Sequence, residues 1–426
     1  MLFLYNLLFP VVFIFYLPFY LIHVFHRGGV TSEFWQRFGL FSYQCKKRLY
    51  ALKDPVWVHA VSVGETIAAV SFVKTWLKRD PEQSIVFSCG TTTGFATAKK
   101  KMPSGVEIIY CPIDFIPSVC NVLRFIRPKM LVIFEVEIWP NLIMMMKKCG
   151  RKIVLVNGRM SDKSSRGYAR FRWFFRPIFN AFSAICVQTE KDAERVRNVI
   201  GASDTIHVCN TMKFDQIPDS DSEDKNALLD HCFGRGGRIV FTVGSTHTGE
   251  EDLICGAFSR LHKEHPQLKM ILVPRHQERT SEVEDVLRKH ELTWVRLDPQ
   301  SAKGSNVDVL LVNTTGELMN FYACADITYV GKSLAGQTGG HNIIEPAIFG
   351  KAILYGHHME NFKAVAALFE ENNAAVKVDS DQELCPLLRR LLENPQEREM
   401  LGKRARQVVE KYRGAIDHTL AIITRV

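Results

Sequence analysis

The chain has 426 residues, of which 46% are hydrophobic and 23% are charged, and this is the composition of an ordinary globular protein. Because this length exceeds what one typical core supports, we expect two domains. The eleven cysteines form no CxxC pair and show no regular spacing, which argues against a zinc ribbon or a disulfide scaffold and fits a reducing compartment. The sequence predicts no metal site and no cofactor.

The net charge of +9 is distributed unevenly along the chain. Residues 1–215 carry 29 Lys and Arg against 15 Asp and Glu, a net charge of +14, whereas residues 216–426 carry a net charge of −5. A basic front half is typical of proteins that bind an anionic partner, such as a membrane surface, an anionic lipid or a nucleic acid. The alternative is an excess of solvated lysines and arginines.

The first segment of the chain, residues 2–25, contains no Asp, Glu, Lys or Arg. About 20 apolar residues suffice to cross a bilayer. The segment lacks the basic start and the small-residue cleavage site of a signal peptide, and the basic residues that follow it indicate a cytoplasmic body. We therefore predict a membrane anchor over residues 1–26, although Pro10 and Pro18 leave a monotopic or re-entrant insertion open.

After this segment, short apolar runs alternate with helical patterns, as is typical of an open parallel sheet. The strands predicted in the front half are 56–61, 84–88, 106–110, 130–134, 153–157, 184–188 and 206–209. Those predicted in the second half are 239–243, 270–273, 307–312, 327–330 and 352–354.

A wholly polar run, residues 219–224, separates these two series and is predicted to be a linker. The sequence thus predicts an α/β protein of two Rossmann-like domains, residues 27–217 and residues 218–426, the second ending in helices. In such folds, ligands bind beyond the carboxyl ends of the strands, so we expect a ligand in a cleft between the two domains.

Three acidic residues follow predicted strands of the front half. Glu65 lies in SVGET at the start of a helix, and Glu135 and Glu137 lie in FEVEIWP. A carboxylate at the edge of a sheet can take a proton from an acceptor hydroxyl, which is worth roughly 10²–10⁴-fold in rate. A glutamate at a helix start also interacts favourably with the helix dipole, and spacing alone leaves both interpretations open. Lys213 in NTMKF closes the front half and is predicted to reach the cleft.

The segment GSTHTGEED, residues 244–252, follows the first strand of the second half. Its glycine spacing imitates a P-loop, but Glu250 and Glu251 occupy the positions of Lys and Ser/Thr. Two acids there would repel phosphates, which argues against an ATPase. Ser245, Thr246 and His247 are predicted to form a helix-capping turn that also donates to a phosphate or a base, with helix capping alone as the alternative.

Two further segments of the second half are typical of anion binding. Pro274 and Arg275 end a strand, where a guanidinium can clamp a phosphate, although a plain surface arginine remains the alternative. Residues 326–356 follow the pattern strand, glycine-rich turn, helix start and strand, a βαβ unit whose helix N-terminus can hold an anion. Glu345, one turn into that helix, can accept hydrogen bonds from a ribose. The alternative is a turn that needs glycine only for its backbone.

Nine segments occur in one order along the chain and together resemble one family. They are SVGE, FEVEIWPN, NGRMS, NTMKFD, GSTHTGE, VPRH, NTTGEL, GGHNIIEP and YGHHMENF. This set resembles the Kdo transferases, the 3-deoxy-D-manno-octulosonic acid transferases of lipopolysaccharide assembly, from the hydrophobic N-terminus to Phe362. The resemblance implies a two-domain GT-B glycosyltransferase of family 30 on the cytoplasmic face of the inner membrane, with a single N-terminal anchor. Such enzymes move Kdo from CMP-Kdo to the lipid A precursor lipid IVA, with inversion and without a bound metal.

The resemblance also implies roles for individual residues. Glu65 matches the proposed general base, and Glu135 matches a second functionally important acid. The predicted donor site for CMP comprises Ser245, Thr246, Pro274, Arg275, Asn313, Thr315, Gly316, Glu317, Gly340, His341, Asn342 and Glu345. The predicted acceptor side comprises Glu137, Arg159 and Lys213. The chain departs from its relatives at Gln337 and Thr338, just before GGHN.

Two other functions remain open at this point. One is a GT-B enzyme that uses a different nucleotide sugar, such as a UDP-sugar. The other is a membrane-tethered module without catalytic activity that binds anionic lipid or nucleic acid. Acids at the strand ends would weaken the binding of a polyanion, so nucleic acid is not a predicted partner.

Overall fold

The computed structural model describes residues 2–26, 32–215, 225–297, 306–314 and 316–426. The chain divides into two units, of which the first is Met1–Gln216 with Arg413–Val426 and the second is Ile217–Tyr412. Each unit contains a seven-stranded sheet in which every strand pair is parallel. The prediction of an α/β chain with two Rossmann-like units is confirmed.

The sheet of the first unit has the strand order β3-β2-β1-β4-β5-β6-β7. Its strands are β1 (Val56–Ala60), β2 (Ile85–Cys89), β3 (Glu107–Tyr110), β4 (Met130–Phe134), β5 (Lys152–Gly158), β6 (Ala184–Val187) and β7 (Ile206–Val208). The helices that precede and connect them are α1 (Leu2–His26), α2 (Tyr43–Ala51), α3 (Val63–Arg79), α4 (Thr92–Lys101), α5 (Ile116–Ile126), α6 (Pro140–Lys148), α7 (Asp162–Arg170), α8 (Arg172–Phe179) and α9 (Glu190–Ile200).

The central strands β1, β2 and β4 are buried along their whole length. Side chains of a strand alternate between the two faces of its sheet. Trp57 and Leu131 accordingly pack in one apolar cluster, while Val58 and Val132 pack in a second cluster on the other face. Continuous apolar strands are typical of a parallel sheet that is covered on both faces, and burying each such side chain contributes about 1.5–3 kcal/mol.

The sheet of the second unit has the strand order β10-β11-β9-β8-β12-β13-β14. Its strands are β8 (Ile239–Thr246), β9 (Leu268–Pro274), β10 (Trp294–Arg296), β11 (Val309–Leu311), β12 (Ile327–Val330), β13 (Ala352–Gly356) and β14 (Val376–Val378). Its helices are α10 (Asn226–Phe233), α11 (Glu250–Glu264), α12 (Thr280–Lys289), α13 (Leu318–Ala323), α14 (Ile344–Ile348), α15 (Lys363–Glu371), α16 (Leu384–Glu393) and α17 (Pro395–Tyr412).

Every predicted strand is present, and the structure adds β10 and β14. These two strands form the edges of the second sheet and contain three residues each. Both are only partly buried, so they lack the continuous apolar run that reveals the inner strands. The predicted polar linker, residues 219–224, lies outside the described residues.

The last helix, α18 (Ala415–Ile423), differs from the predicted domain bounds, which assign the whole C-terminal segment to the second domain. In the structure, Arg413–Val426 belongs to the first unit. The apolar face of α18 is buried in the same cluster as Trp76 of α3, and this face includes Ile416, Leu420 and Ile423. Periodicity predicts that such a helix is amphipathic but does not show which sheet it covers.

Polar contacts also attach α18 to the first unit. The carboxylate of Asp215 accepts hydrogen bonds from the N–H groups of Gly414 at 2.6 Å and Ile416 at 2.7 Å, at the start of the helix. Arg79 at the end of α3 forms an ion pair with Asp417. The chain therefore returns to its first unit after completing the second.

The segment predicted as a membrane anchor forms helix α1. No helix in the part of the chain that the structure describes is long and apolar enough to cross a membrane, so the predicted spanning anchor is not supported. The first turns of α1 instead bind polar groups of the first unit. The Tyr5 hydroxyl donates to Asp114 at 2.9 Å, and the side-chain amides of Asn6 and Asn141 exchange hydrogen bonds at 3.0 and 2.7 Å.

Candidate active site

The site residues predicted in the front half lie at one edge of the first sheet. Glu65 lies in the first turn of α3 after β1, and Glu135 directly follows β4. Arg159 follows β5, and Lys213 lies in the 3-10 turn after β7. The carboxyl ends of parallel strands meet at the same edge, so these side chains approach one another. Glu137 is a fifth member of this group. The charges of Glu65, Arg159 and Lys213 all act on Glu135, and those of Glu65 and Glu135 act on Glu137, so the structure brings the five side chains together.

Glu65 is buried and held in one orientation by a capping box at the start of α3. Its carboxylate accepts hydrogen bonds from Val61 N–H at 2.8 Å, Ser62 Oγ–H at 2.6 Å and Ser62 N–H at 3.3 Å. A carboxylate has about four acceptor positions, so one position remains for a substrate hydroxyl. The helix-cap interpretation of Glu65 is therefore correct, and it is compatible with a role as a base.

Glu135 and Glu137 are both partly buried beside Glu65. The pKa of Glu135 is raised to about 7, first by burial and then by the Glu65 carboxylate, against the opposing effects of Lys213 and Arg159. The pKa of Glu137 is also raised to about 7, first by burial and then by Glu65 and Glu135. Since adjacent carboxylates repel each other when both are charged, this pair retains protons near neutral pH.

The backbone at Glu135 is left-handed, with φ of 55°, and its N–H donates to Val156 O at 2.9 Å. A residue other than glycine in this region costs about 1–3 kcal/mol, and such residues cluster at functional sites. Asn157, at the end of the adjacent strand, has φ of 52°, and its side-chain oxygen accepts from Met212 N–H at 3.1 Å. That bond fixes the turn that carries Lys213, whose pKa is lowered by burial and by Arg159.

Two buried aspartates that the sequence analysis did not single out hold the loops of this edge. Asp114 accepts from the N–H groups of Asn141 and Leu142, both at 2.9 Å, and so fixes the start of α6 directly after FEVEIWP. Asp192 accepts from Met160 N–H at 3.0 Å and thereby holds the NGRMS segment. Asp114 lies in a loop between a strand and a helix, and Asp192 lies in the first turn of α9. Acidic residues at both kinds of position are usually exposed, so the sequence does not distinguish these two from surface residues.

In the second unit, the predicted donor residues again follow strand ends. Ser245 and Thr246 end β8, and Pro274 ends β9. Arg275 follows, and its N–H donates to Thr246 O at 3.1 Å. Asn313 lies just beyond β11. Residues 340–342 precede α14, which contains Glu345. The structure therefore places these residues along the carboxyl edge of the second sheet.

Two side-chain atoms at this edge are buried without a hydrogen-bond partner in the structure, namely Thr246 Oγ1 and Asn313 Oδ1. Buried polar groups are nearly always paired, so each such atom is a candidate ligand contact. Burial also raises the pKa of Glu345 to about 7, against the opposing effects of Asn342 and Arg275. This edge therefore offers hydrogen-bonding groups that its own side chains do not satisfy.

Gly340 has a structural reason to be glycine. Its φ is 66°, and a Cβ atom there would lie 2.4 Å from Met359 Sδ and 3.0 Å from His358 O. Gly340 is thus needed for packing against the neighbouring turn, and its predicted role in donor binding stays a prediction.

The NTTGEL segment is predicted to contact the donor, and the structure describes Gly316 and Glu317 of this segment. Glu317 forms an ion pair with Lys225 at 3.3 Å and accepts from Asn320 Nδ2 at 3.1 Å, so its carboxylate is engaged at the start of α13. Gly316 is exposed with φ of 96°. Thr315 lies outside the described residues. The predicted contacts of these three residues with the donor stay predictions.

Glu250 is fully buried and joins two loops of this edge. Its carboxylate accepts from the N–H groups of His247 at 3.0 Å, Lys332 at 2.7 Å and Ser333 at 2.9 Å, and from the Tyr329 hydroxyl at 3.1 Å. In the sequence, Glu250 argues against a P-loop and gives no sign of this structural role. The structure shows that it fixes the turn after β8 to the turn after β12.

These features agree with comparisons to known proteins. The family model described as 3-deoxy-D-manno-octulosonic-acid transferase (kdotransferase) matches residues 32–216. The 3-deoxy-D-manno-octulosonic acid transferase of Haemophilus influenzae is 30% identical over 369 residues, which cover 86% of each chain. The chain belongs to the Kdo transferase family. The predicted enzyme class, a Kdo-transferring glycosyltransferase of lipopolysaccharide biosynthesis, is thereby confirmed.

Another relative matches nearly the whole length of the chain, and a solved structure shares its fold. The transferase of Rickettsia bellii is 28% identical over 416 residues, which cover 96% of each chain. The crystal structure of MurG from Acinetobacter baumannii is similar with a TM-score of 0.57 and 12% identity, covering 88% of this chain and all of that one. At such low identity the likeness shows the fold alone, which is the GT-B class predicted from the sequence.

Proposed function

We propose that this Kdo transferase moves Kdo from CMP-Kdo to lipid IVA with inversion at the anomeric carbon, and that Glu65 is the general base. The observation that carries the proposal is the orientation of Glu65. Three hydrogen bonds fix its buried carboxylate at the carboxyl edge of the first sheet and leave one acceptor position. A base must be held within hydrogen-bond reach of the hydroxyl that it deprotonates.

In the proposed reaction, Glu65 takes the proton of the acceptor's primary hydroxyl while the oxygen attacks the anomeric carbon of Kdo. The bond between that carbon and the phosphate oxygen breaks, and its electrons leave with CMP. Glu135 and Glu137, with pKa values of about 7, hold protons for part of the time at neutral pH. This lowers the negative charge that an anionic substrate meets beside Glu65.

Charge supports an anionic acceptor on the first unit. Lys213 and Arg159 act electrostatically on Glu135, so two cationic side chains lie beside the proposed base. Residues 1–215 also carry a net charge of +14. Lipid IVA is a phosphorylated sugar, and cationic side chains are the groups that bind its phosphates. We assign Arg159, Lys213 and Glu137 to this acceptor side.

An exposed apolar surface supports an acylated acceptor and a location at the cytoplasmic face of the inner membrane. The ring centroids of Tyr5 in α1 and Phe174 in α8 lie 6.1 Å apart, so these two helices are neighbours. Their exposed apolar side chains are Phe3, Leu4, Leu7, Leu8, Val11, Val12, Phe15 and Trp173. Apolar surface of this kind marks interaction sites, including sites for acyl chains and membrane interfaces.

Unsatisfied polar groups support a nucleotide donor on the second unit. Thr246 Oγ1 and Asn313 Oδ1 are buried without a partner and can bond to the nucleotide. We assign Arg275, with Ser245 and the N–H groups of residues 341 and 342, to the phosphate, and Glu345 to the ribose. The guanidinium of Arg275 can donate charge-assisted hydrogen bonds to the phosphate and so stabilise the negative charge of the leaving group.

Product mass tests this proposal. The full-length protein is incubated with lipid IVA and, in separate reactions, with CMP-Kdo, CMP-N-acetylneuraminic acid or UDP-N-acetylglucosamine, and the lipid is analysed by mass spectrometry. We expect only CMP-Kdo to increase the lipid mass, by one or more Kdo residues. An increase with the UDP-sugar alone would establish the alternative GT-B activity. Salt-sensitive lipid binding without any CMP release would instead indicate the non-catalytic module.

A further inference from the structure

Two histidines form a hydrogen-bonded pair at the carboxyl edge of the second sheet. His247 follows β8, and His341 precedes α14. Their Nε2 atoms are 3.1 Å apart, and the two rings lie edge to edge, with centroids 5.4 Å apart and an interplanar angle of 19°. At this separation one Nε2–H donates to the lone pair of the other Nε2. Two neutral rings, one donating and one accepting through Nε2, are sufficient to form this hydrogen bond.

The surroundings of this histidine pair are cationic. Lys332, Arg275 and Arg279 act electrostatically on the pair, and the ring of His276 lies 5.5 Å from that of His247. The one carboxylate that contacts either residue, among the described residues, is that of Glu250, which accepts from the backbone N–H of His247. Burial first, and then these cations, lower the pKa of His247 to about 4 and that of His341 to about 3.

An anion that binds beside this histidine pair would offset the nearby positive charges, which disfavour the protonated imidazole. The nearby cations already carry their charge and cannot respond further, whereas each imidazole can gain a proton. An opposite charge within about 4–6 Å favours the protonated imidazole, and a bound phosphate supplies that charge. The histidine pair is thus a group at this edge that can gain a positive charge when a phosphate arrives, beside the neighbouring imidazole of His276.

We propose that the His247–His341 pair takes up one proton when the phosphate of CMP binds, and so neutralises the charge that develops on the leaving group. This inference rests on the proposed CMP-Kdo donor. In CMP-Kdo the phosphate carries one negative charge. When the bond to the anomeric carbon breaks, the bonding electrons stay on the phosphate oxygen, and CMP carries two. The proton comes from solvent and binds to Nδ1 of the ring that donates through Nε2, so the bond between the rings is kept.

Calorimetry of the full-length protein tests this inference. CMP is titrated at pH 7.5 in two buffers of different ionisation enthalpy, and the difference in heat gives the number of protons taken up. Free CMP is nearly all dianion at this pH, because the second pKa of a phosphate monoester is about 6. Cytidine is the matched ligand, because it keeps the base and the ribose that contacts Glu345 but lacks the phosphate.

We expect CMP to take up more protons than cytidine, by a measurable fraction of a proton at pH 7.5. His247→Asn and His341→Asn should each reduce this difference to less than one third, whereas His265→Asn, at the far end of α11, should keep it. Equal proton uptake for CMP and cytidine would overturn the inference while leaving the proposed donor intact. A difference that persists in both pair variants would also overturn it. Absence of CMP binding would overturn the inference and the proposed donor together. If the variants do not fold, the comparison of the two ligands on the unmodified protein decides.

Discussion

The hydroxyl of Ser62 donates to the Glu65 carboxylate at 2.6 Å, and the N–H of Glu65 donates back to Ser62 Oγ at 3.2 Å. This reciprocal pair makes one residue both the cap of α3 and the support of the proposed base. Ser62→Ala should cost about 0.5–2 kcal/mol of stability through the lost cap. It should also lower kcat by roughly 10- to 100-fold, since a small misplacement of a catalytic group has effects of this size.

Thermal unfolding and turnover of the Ser62 variants separate these two effects. Ser62→Thr keeps the hydroxyl and should retain most of both properties. A Ser62→Ala enzyme that loses stability but turns over like the unmodified protein would show that the hydrogen bond does not position Glu65 for the reaction.

Glu135→Gln should stabilise the protein at alkaline pH. The pKa of Glu135 is raised to about 7 in the folded state. Between the unfolded pKa and pH 7 the unfolded chain loses this proton while the folded state keeps it, so the folded state loses stability over that range. The variant removes this cost, and its gain at pH 8 should exceed its gain at pH 5 by about 2 kcal/mol. Urea unfolding at the two pH values measures the difference. Glu82→Gln, an exposed site, should show no such dependence, and equal gains for Glu135→Gln at both pH values would contradict the account.

Glu250→Ala should destabilise the second unit strongly. The substitution leaves the N–H groups of Lys332, Ser333 and His247 without their acceptor. Each buried N–H that loses its partner costs about 1–3 kcal/mol, so a loss of at least about 3 kcal/mol is expected, together with weaker CMP binding. Chemical denaturation and CMP titration measure the two effects. Glu278→Ala on the exposed turn after β9 is the control. A stable Glu250→Ala protein would show that these loops do not depend on this carboxylate.

Leu420→Ala should destabilise the first unit, although the residue lies near the C-terminus. Leu420 is buried in the cluster that covers one face of the first sheet, and truncating such a leucine costs about 2–5 kcal/mol. Unfolding followed by tryptophan fluorescence, with Trp57 and Trp76 in this unit, reports the loss. Thr424 is exposed on the same segment. The control substitution Thr424→Ala should therefore change the free energy of unfolding by less than about 0.5 kcal/mol. Equal stability of the two variants would contradict the packing of α18 on the first unit.

The inner strands could be predicted from the sequence, because strands that are buried on both faces of a sheet need continuous apolar runs such as residues 130–134. The sequence was insufficient for β10 and β14, whose edge positions impose no such demand, and for α18, whose partner sheet (56–208) lies more than 200 residues earlier in the chain. The spanning anchor was predicted from residue types alone. The structure describes polar contacts from Tyr5 and Asn6 to the first unit, which residue types do not reveal.

The candidate site was predictable to a similar extent. Glu65, Glu135 and Lys213 follow strand ends, so the topology of a parallel sheet brings them to one edge as expected. Asp114 and Glu250 were missed as structural residues because their function depends on backbone N–H groups far away in sequence. The His247–His341 contact was missed for the same reason, since 94 residues separate the two rings.

Turnover of Glu65→Gln, followed as the mass of lipid formed from lipid IVA and CMP-Kdo, tests the central claim most directly. Glutamine has nearly the same shape but cannot accept the proton, so we expect the rate to fall by roughly 10²–10⁴-fold. The affinity for CMP, measured on the same preparation, should stay within about twofold, because the proposed donor residues lie in the second unit. A Glu65→Gln enzyme that forms the Kdo product at a near-normal rate would contradict the assignment of the base.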